Sequence, residues 1–373
     1  AAGPGDETAA RVAAIARGAV RVALPGRPYH VDVRPGALAD VELHLPPGAA
    51  RVAIIADRRL AQQVRRLASQ LRRSGRTVTV MGVLGGEGLK TWGAAGRLLQ
   101  RLSRAGLQRG DAVVAVGGGS AGDLSGFVAA TYLRGIAWVN VPTTLLAMVD
   151  SAIGGKTGVN LPKGKNLAGA IWQPRAVVCD TELLATLSGR DYRSAFAEIV
   201  KYCMIREDGL VPLIDTNLDA LLRREPDVVA EVVRRSVEIK AAVVAADERE
   251  GGLRQVLNYG HTIGHAIEAV TGFGPVNHGE AIAVGMHVAG RLSVQLAGCP
   301  ESDIAWQDAA LQRFELAVTR QVDARRVLER VQSDKKATPT GVGWVLLERR
   351  GRPRIGCQVP MESARAALQD MAA

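Results

Sequence analysis

The strongest constraint on the fold is a change of period near Leu187. Before it, short apolar runs alternate with amphipathic segments. Residues 51–56 (RVAIIA), 77–83 (TVTVMGV), 112–116 (AVVAV) and 137–141 (AWVNV) read as strands, and 60–74 and 95–105 as helices between them. Strands apolar on both faces need cover on both faces, so this alternation predicts a parallel, Rossmann-like sheet flanked by helices. After Leu187 the helical period takes over, in 193–205, 227–246, 258–270 and 279–297, and only 343–347 (GWVLL) reads as a late strand. The expected organisation is a flexible N-terminal extension over 1–20, an α/β domain over 21–187 and a mainly α-helical domain over 188–373. The cleft between the two domains is the expected place for a site.

A chain of 373 residues exceeds what one core usually serves, which agrees with two domains. No apolar run approaches the roughly 18 residues a membrane span needs, so no membrane partner is expected. Lys and Arg outnumber Asp and Glu by 47 to 37, a surplus of +10 that favours anionic partners. The basic residues are scattered, with no basic tail and no interleaved aromatics for base stacking. An anionic small molecule therefore fits better than nucleic acid. Four cysteines lie far apart without a CxxC, and the first twenty residues carry Asp6 and Glu7 and lack an apolar h-region. Both features point to a cytoplasmic protein with reduced thiols.

Gly117-Gly118-Gly119-Ser120, followed by Gly122-Asp123, leaves one strand and enters a helix. Glycines let backbone approach a pyrophosphate, and the helix N-terminus supplies donors and a favourable dipole. The spacing is not GxGxxG, and a plain strand–helix turn has the same appearance. Asp57 at a strand end, where an acid can hold a ribose, and Gly85-Gly86-Glu87 with Lys90 after another strand strengthen the nucleotide reading. The stretch from Asp150 to Asn166 packs Lys156, Lys163 and Lys165 into a glycine-rich loop with few carboxylates nearby, an arrangement suited to an anion.

Two later helices carry polar residues on apolar stripes. Lys240 lies in line with Val229, Val233, Val237 and Val244, either snorkelling outward or turned into a cleft. Asn258, His261, His265 and Glu268 share one face, and the i, i+4 spacing of the two histidines lets both reach one cation. His278 follows beside Glu280, so three of six histidines fall within eighteen residues, which favours a metal or acid–base cluster. Glu198 and Lys201 form either an intrahelical ion pair or, through the acid, part of a metal's ligand set.

Six stretches together resemble the dehydroquinate synthase family, within the sugar phosphate cyclases. They are GGGSAGDLSGFVAATYLRG (117–135), VPTTLLAMVDSAIGGKTGVNLPKGKN (141–166), AEIVKY (197–202), DEREGGLRQVLNYGHTIGHAIE (247–268), HGEA (278–281) and DKK (334–336). The resemblance implies a homodimer that binds NAD and a divalent zinc or cobalt ion. Its substrate would be the seven-carbon keto-acid sugar phosphate DAHP, converted to 3-dehydroquinate in the shikimate pathway. The implied course is transient oxidation of a secondary alcohol, loss of phosphate, return of the hydride, ring opening and aldol closure.

The resemblance assigns the metal to Glu198, His261 and His278. It leaves His265 as a catalytic or supporting histidine, where spacing alone would pair it with His261. It gives the grip on phosphate and carboxylate to Lys156, Lys165, Asn166, Lys201, Lys240, Arg254, Asn258 and one or both of Lys335 and Lys336, and Arg134 reaches the phosphate across the dimer. NAD contacts fall to Asp57, Glu87, Lys90, Gly118, Gly119, Asp123, Thr143, Thr144, Asp150 and Thr186, with Lys156 and Lys165. The chain departs from the pattern at Ser120-Ala121, where a bulkier apolar pair is usual. It departs also at Arg59, where the family often has Asn, and at Cys203, where a small residue is common.

Aminodehydroquinate synthase is the nearest alternative, differing at one substrate substituent. Cyclases making 2-deoxy-scyllo-inosose or epi-valiolone tend to alter the GGKTGVN and GHTIGHA stretches, which are intact here. A metal-dependent alcohol or glycerol dehydrogenase shares a GGGS turn but has no need of the lysine-rich anion grip.

Overall fold

The apolar runs of the first half lie side by side in one sheet. The computed structural model describes residue 15 and residues 18–206, 209–272, 274–316, 323–336 and 343–369. Nine strands occupy its first part: β1 (Ala19–Val22), β2 (Tyr29–Arg34), β3 (Arg51–Asp57), β4 (Thr77–Val83), β5 (Ala112–Gly117), β6 (Ala137–Pro142), β7 (Lys156–Leu161), β8 (Gly164–Ile171) and β9 (Ala176–Asp180). Seven form a sheet in the order β1-β2-β9-β6-β5-β3-β4, parallel throughout except for β1 against β2. Alternate residues of each central strand feed separate cores. Val52, Ile54 and Ala56 of β3 join Val114 and Val116 on one face, while Ala53 and Ile55 join Val113 and Ala115 on the other. Helix α1 (Ala61–Arg73) closes the first core with Val64, Leu67 and Leu71. Helices α2 (Trp92–Arg104) and α3 (Gly119–Thr131) close the second with Leu98, Leu102, Leu124 and Phe127. The Rossmann-like arrangement is as the alternation predicts.

The lysine-rich stretch expected as a loop is instead partly strand: β7 and β8 pair as an antiparallel hairpin. Its glycines and lysines hide the strand signal, although Val159 on its inner side joins the second core.

Helices α4 (Gly189–Ser194), α5 (Phe196–Ile205), α6 (Leu210–Thr216) and α7 (Leu218–Leu222) follow, then α8 (Pro226–Ala246), α9 (His261–Val270), α10 (His278–Ala297), α11 (Glu301–Arg313), α12 (Ala324–Lys336) and α13 (Met361–Gln369). A hairpin of β10 (Trp344–Arg349) and β11 (Arg352–Cys357) lies between the last two helices. A single cut after Leu187 does not describe the molecule. One compact unit comprises the described residues up to Leu187 together with Arg223–Glu248, and the other Ser188–Leu222 with the described residues from Arg249 onward. The helix α8, expected in the second domain, groups with the first because Val229, Val233, Val237 and Val244 are buried and the helix packs on β1, β2 and the turn Ala147–Ser151. Among the described residues no helix is long and apolar enough to cross a membrane.

In the second unit, α9, α10, α12, β10 and α13 share a core through Ile263, Ile267, Val284, Val288, Val327, Trp344 and Leu368. The helix expected from Asn258 starts instead at His261. Gly260 adopts a left-handed φ of 79°, which ends the preceding 3-10 turn Leu253–Asn258 and redirects the chain. A side chain at Gly260 would also meet the Met286 backbone nitrogen at 2.9 Å, so glycine is what lets α9 lie close against α10.

Candidate active site

The first unit gathers its polar residues at the carboxyl ends of its central strands. The chain runs from β3 outward to β4 and then crosses to β5 on the other side of β3, so the strand order reverses between β3 and β5. Such a reversal opens a crevice at the strand ends, where α/β sheets bind ligands. Asp57 closes β3, and Gly117 closes β5 so near that a Cβ there would stand 3.6 Å from that of Asp57. Gly118 and Gly119 enter α3. A Cβ on them would meet the Thr144 methyl at 3.1 Å and the Ser151 hydroxyl at 2.6 Å, leaving a cradle that only bare backbone can line. Thr143 is buried and donates its backbone N–H to Gly117 O at 2.9 Å. The cradle at a helix N-terminus fits a dinucleotide's pyrophosphate.

Beside it lies a closed polar network. The buried Lys90 Nζ donates to Asp123 Oδ2 at 2.7 Å and to Asn166 Oδ1. Glu87 accepts from Asn160 Nδ2 at 2.8 Å and from the Ser120 hydroxyl at 3.0 Å, and its carboxylate is 3.6 Å from Lys90. Burial pushes the Glu87 carboxyl up, but Asn160, Lys90 and Lys165 together hold it below the ordinary value. Asp123 is raised, because its burial outweighs the Lys90 charge. Asn160 and Ser120 were not among the expected site residues. The signal for Asn160 was available, since it ends the GGKTGVN stretch and alternates with the buried Val159.

Lys240, on the apolar stripe of α8, is turned inward and not to the surface. Its ammonium donates to both the carboxylate and the backbone oxygen of Asp150 at 2.5 Å. Lys156 is exposed at the start of β7. Thr186 is exposed and uses its hydroxyl on Leu183 O at 2.9 Å. Arg134 stands apart from the cradle: it is exposed beyond the far end of the thirteen-residue helix α3, about 20 Å from the glycines at 1.5 Å per residue. It sits in a turn where Leu133, Arg134 and Gly135 all have positive φ.

The second unit builds the candidate metal centre. Glu198 and Lys201 lie on α5, fully buried, and the Lys201 ammonium donates to Glu198 Oε2. Glu198 Oε1 is buried and accepts no hydrogen bond. Two imidazoles face it: His261 Nε2 at 3.4 Å and His278 Nε2 at 3.5 Å. Each ring has its other nitrogen on an acceptor, His261 Nδ1 on Tyr259 O at 3.1 Å and His278 Nδ1 on Glu268 Oε2 at 3.2 Å. A carbonyl and a carboxylate only accept, so Nδ1 of each ring carries a proton, and in the neutral ring of His261 the Nε2 lone pair is left facing Glu198.

The three ligand atoms lie within 4.8 Å of one another. Ligands placed 2.0–2.1 Å from a tetrahedral ion stand about 3.4 Å apart, close to the spacings seen here. The oxygen without a partner, the tautomers and the spacing all fit a divalent ion. Burial alone would raise the Glu198 carboxyl; Lys201 and the two rings hold it well below the carboxylate range. Burial drives His261 down to about 3. The two carboxylates overcome burial at His278 and bring it up to about 10, so without an ion this ring is the imidazolium and a bound cation would take the place of its Nε2 proton.

Small residues make this convergence possible. Gly279, the second residue of α10, lies so close to Ser194 at the end of α4 that a Cβ would fall 1.9 Å from Ser194 O. Any larger side chain would push His278 away from the helix bearing Glu198. His265 is exposed on α9, its ring 5.1 Å from that of His261 and 6.1 Å from that of His278. The i, i+4 pair therefore shares a neighbourhood, while His278 completes the ligand set with Glu198. Arg254 is buried in the turn that packs against α5, and Asn258, half-buried in the same turn, donates to Glu250 Oε1 at 3.4 Å. Lys336 ends α12; its side chain, with that of Lys335, lies outside the described residues.

Family models place these two halves in one lineage: residues 80–194 match the 3-dehydroquinate synthase N-terminal domain and 195–337 its C-terminal domain. The chain is 41% identical over 352 residues to 3-dehydroquinate synthase from Bordetella pertussis, covering 94% of this chain and 98% of that one. Among solved structures it is similar to 2-deoxy-scyllo-inosose synthase complexed with carbaglucose-6-phosphate, NAD+ and Co2+. That match has TM-score 0.86 and 28% identity, over 94% of this chain and 99% of the other. It is also similar to 2-epi-5-epi-valiolone synthase from Streptomyces hygroscopicus with NAD+ and Zn2+ bound, at TM-score 0.85 and 25% identity over 94% and 98%.

Proposed function

The chain belongs to the 3-dehydroquinate synthase family, and on that premise we propose that it converts DAHP to 3-dehydroquinate with loss of phosphate. The reaction makes it a phosphate-eliminating lyase of the shikimate pathway, with NAD and a divalent zinc or cobalt ion as cofactors. The observation that carries this reading is the buried Glu198 oxygen without a hydrogen bond, faced by the Nε2 atoms of two imidazoles. Bound there, a divalent ion supplies a Lewis acid for an alcohol or carbonyl oxygen, and NAD supplies a hydride acceptor that is restored within each turnover.

The chain's own groups do the rest. Glu198, His261 and His278 hold the ion, and Lys201 keeps Glu198 ionised in a site that would otherwise favour its protonation. Glu268 and the Tyr259 carbonyl fix the ring orientations. His265, exposed beside the ligand rings, is the candidate to move a proton at the substrate. The substrate carries a phosphate and a carboxylate, and Lys156, Lys165, Asn166, Lys240, Arg254, Asn258 and Lys336 are the candidate grip on them. Gly118, Gly119, Thr143, Thr144, Glu87, Lys90, Asp123, Asp150 and Asp57 are the candidate contacts to the dinucleotide, with Thr186 a more remote one.

Arg134 is assigned to the phosphate of the partner subunit in a homodimer. Its separation from the glycine cradle by the length of α3 supports that assignment. None of the four cysteines forms a disulfide among the described residues, which supports a cytoplasmic location.

The deciding experiment identifies the product from DAHP and from its amino analogue, with and without a chelator. Conversion of DAHP to 3-dehydroquinate that stops with chelator and returns with zinc or cobalt, without net NADH, is the expected result. Stoichiometric NADH from a plain alcohol, or turnover of the amino analogue alone, would overturn the assignment.

A further inference from the structure

The dinucleotide end of the first unit carries a feature that the proposed reaction does not require. Asp57, at the strand-order reversal, occupies the position from which an acid receives the adenosine ribose. Such an acid binds a free 2′-hydroxyl and repels a 2′-phosphate. Here the acid is already engaged. The backbone N–H and Nε of Arg59 donate to Asp57 Oδ1 at 3.0 and 3.1 Å, and Nε and Nη2 donate to Oδ2 at 3.1 and 2.5 Å. The pair is lopsided in exposure: the Asp57 side chain is 5% exposed and that of Arg59 77%.

What this corner presents outward is therefore a guanidinium, with the carboxylate beneath it. Arg58 adds a second cation at the same strand ends, its Cγ 3.1 Å from where a Cβ on Gly82 of β4 would stand. Gly85, just beyond β4, leaves the room the pair needs, since a Cβ there would fall 2.1 Å from both Asp57 Oδ2 and Arg59 Nη2. A planar guanidinium fork is the group best matched to a phosphate dianion.

We propose that Arg59 is a specificity-determining residue that lets this site accept a 2′-phosphorylated nicotinamide dinucleotide, NADP+, alongside NAD+. The proposal rests on the dinucleotide reading of the first unit. Arg59 offsets the acid's charge and offers its own donors to the 2′-phosphate. The same residue competes with the 2′-hydroxyl of NAD+ for Asp57, so its removal acts on the two dinucleotides in opposite directions.

Calorimetric titration of the metal-loaded full-length enzyme with NAD+, NADP+, 5′-AMP and 2′,5′-ADP tests it by affinity, independently of turnover. The wild-type chain is expected to bind the two dinucleotides within about tenfold of each other, and 2′,5′-ADP more tightly than 5′-AMP. Arg59→Ala should weaken NADP+ by about 10- to 100-fold, the range of one or two charge-assisted hydrogen bonds, and tighten NAD+. Arg59→Lys, which keeps the charge and loses the fork, should fall between them. A wild-type preference for NAD+ beyond about a thousandfold, or an Arg59→Ala ratio equal to wild type, would overturn the proposal. Failure of every probe to bind the wild-type chain would instead remove the dinucleotide site itself, and the proposal with it.

Discussion

Two buried polar clusters, one in each unit, differ in how completely they satisfy themselves. In the first unit, Lys90 spends its donors on Asp123 and Asn166, and Glu87 takes donors from Asn160 and Ser120. In the second, Lys201 and Glu198 pair on one side, yet Glu198 Oε1, with no hydrogen bond of its own, faces the Nε2 atoms of His261 and His278. Burying a carboxylate oxygen without a hydrogen bond is costly unless something positive joins it. A network that closes on itself holds backbone in place for a ligand that binds beside it, as at the glycine cradle. A network that stays open at one point marks where the ligand goes.

The contrast is broken most directly at Glu198. Glu198→Ala removes one of three ligands and leaves the Lys201 ammonium buried without its partner. Metal content after dialysis should drop to background, DAHP turnover should vanish, and stability should fall by about 3–5 kcal/mol. Retention of one equivalent of zinc by this variant would show that the open point lies elsewhere. The matched change in the closed network is Lys90→Met, which strands Asp123 and Asn166. It should cost about 2–3 kcal/mol in denaturant unfolding while one equivalent of metal still binds. Metal loss in Lys90→Met would mean that the two clusters are not independent.

A finer test asks whether Glu268 acts through His278. Glu268→Gln keeps the shape and replaces the carboxylate acceptor with an amide. Metal affinity, measured by competition with a chromogenic chelator, should weaken by about 10- to 100-fold, the usual effect of losing a carboxylate behind a ligating histidine. Restoration by Glu268→Asp would not be expected, since the shorter side chain no longer reaches Nδ1 at 3.2 Å.

The same contrast explains what could be read from the chain alone. The closed parts were legible where they obey a period: the runs of β3, β4, β5 and β6 alternate between two cores, and α8 shows its valine stripe. The hairpin β7–β8 was not, because glycine and lysine at alternate positions erase the apolar signal while backbone pairing still forms. Nor was the assignment of α8 to the first unit, since a helical stripe does not say which surface it will cover. At the metal centre, spacing within one helix singled out His261 and His265, one turn apart. The ligand partners of His261 come from other helices, α5 and α10, brought in by Gly260 and Gly279, whose reason for being glycine appears only in the packing. The clustering of histidines and an acid on an apolar helix made His278 and Glu198 candidates, and the resemblance to a family joined them with His261 as one ligand set in place of His265.

The smallest effect, and the sharpest on the closed network, concerns acid. Glu87 and Asp123 flank the same lysine with opposite shifts, Glu87 lowered and Asp123 raised. A carboxyl depressed in the folded state contributes stability that is present above its unfolded value, near 4.5, and lost as pH falls through the folded one. For Asp123 the sign reverses: the folded state holds its proton longer than the unfolded chain, so stability declines as pH rises from about 3.8. The two slopes partly cancel in the wild-type chain, and deleting one exposes the other. Glu87→Gln should therefore flatten the loss of stability below pH 4.5, measured by urea unfolding at pH 5, 4 and 3.5. The difference should be about 1 kcal/mol or less, because solvent screens a side chain left one-third exposed. If Glu87→Gln instead steepens the acid limb, Lys90 draws its charge compensation from Asp123 alone, and the network closes around the lysine without help from Glu87.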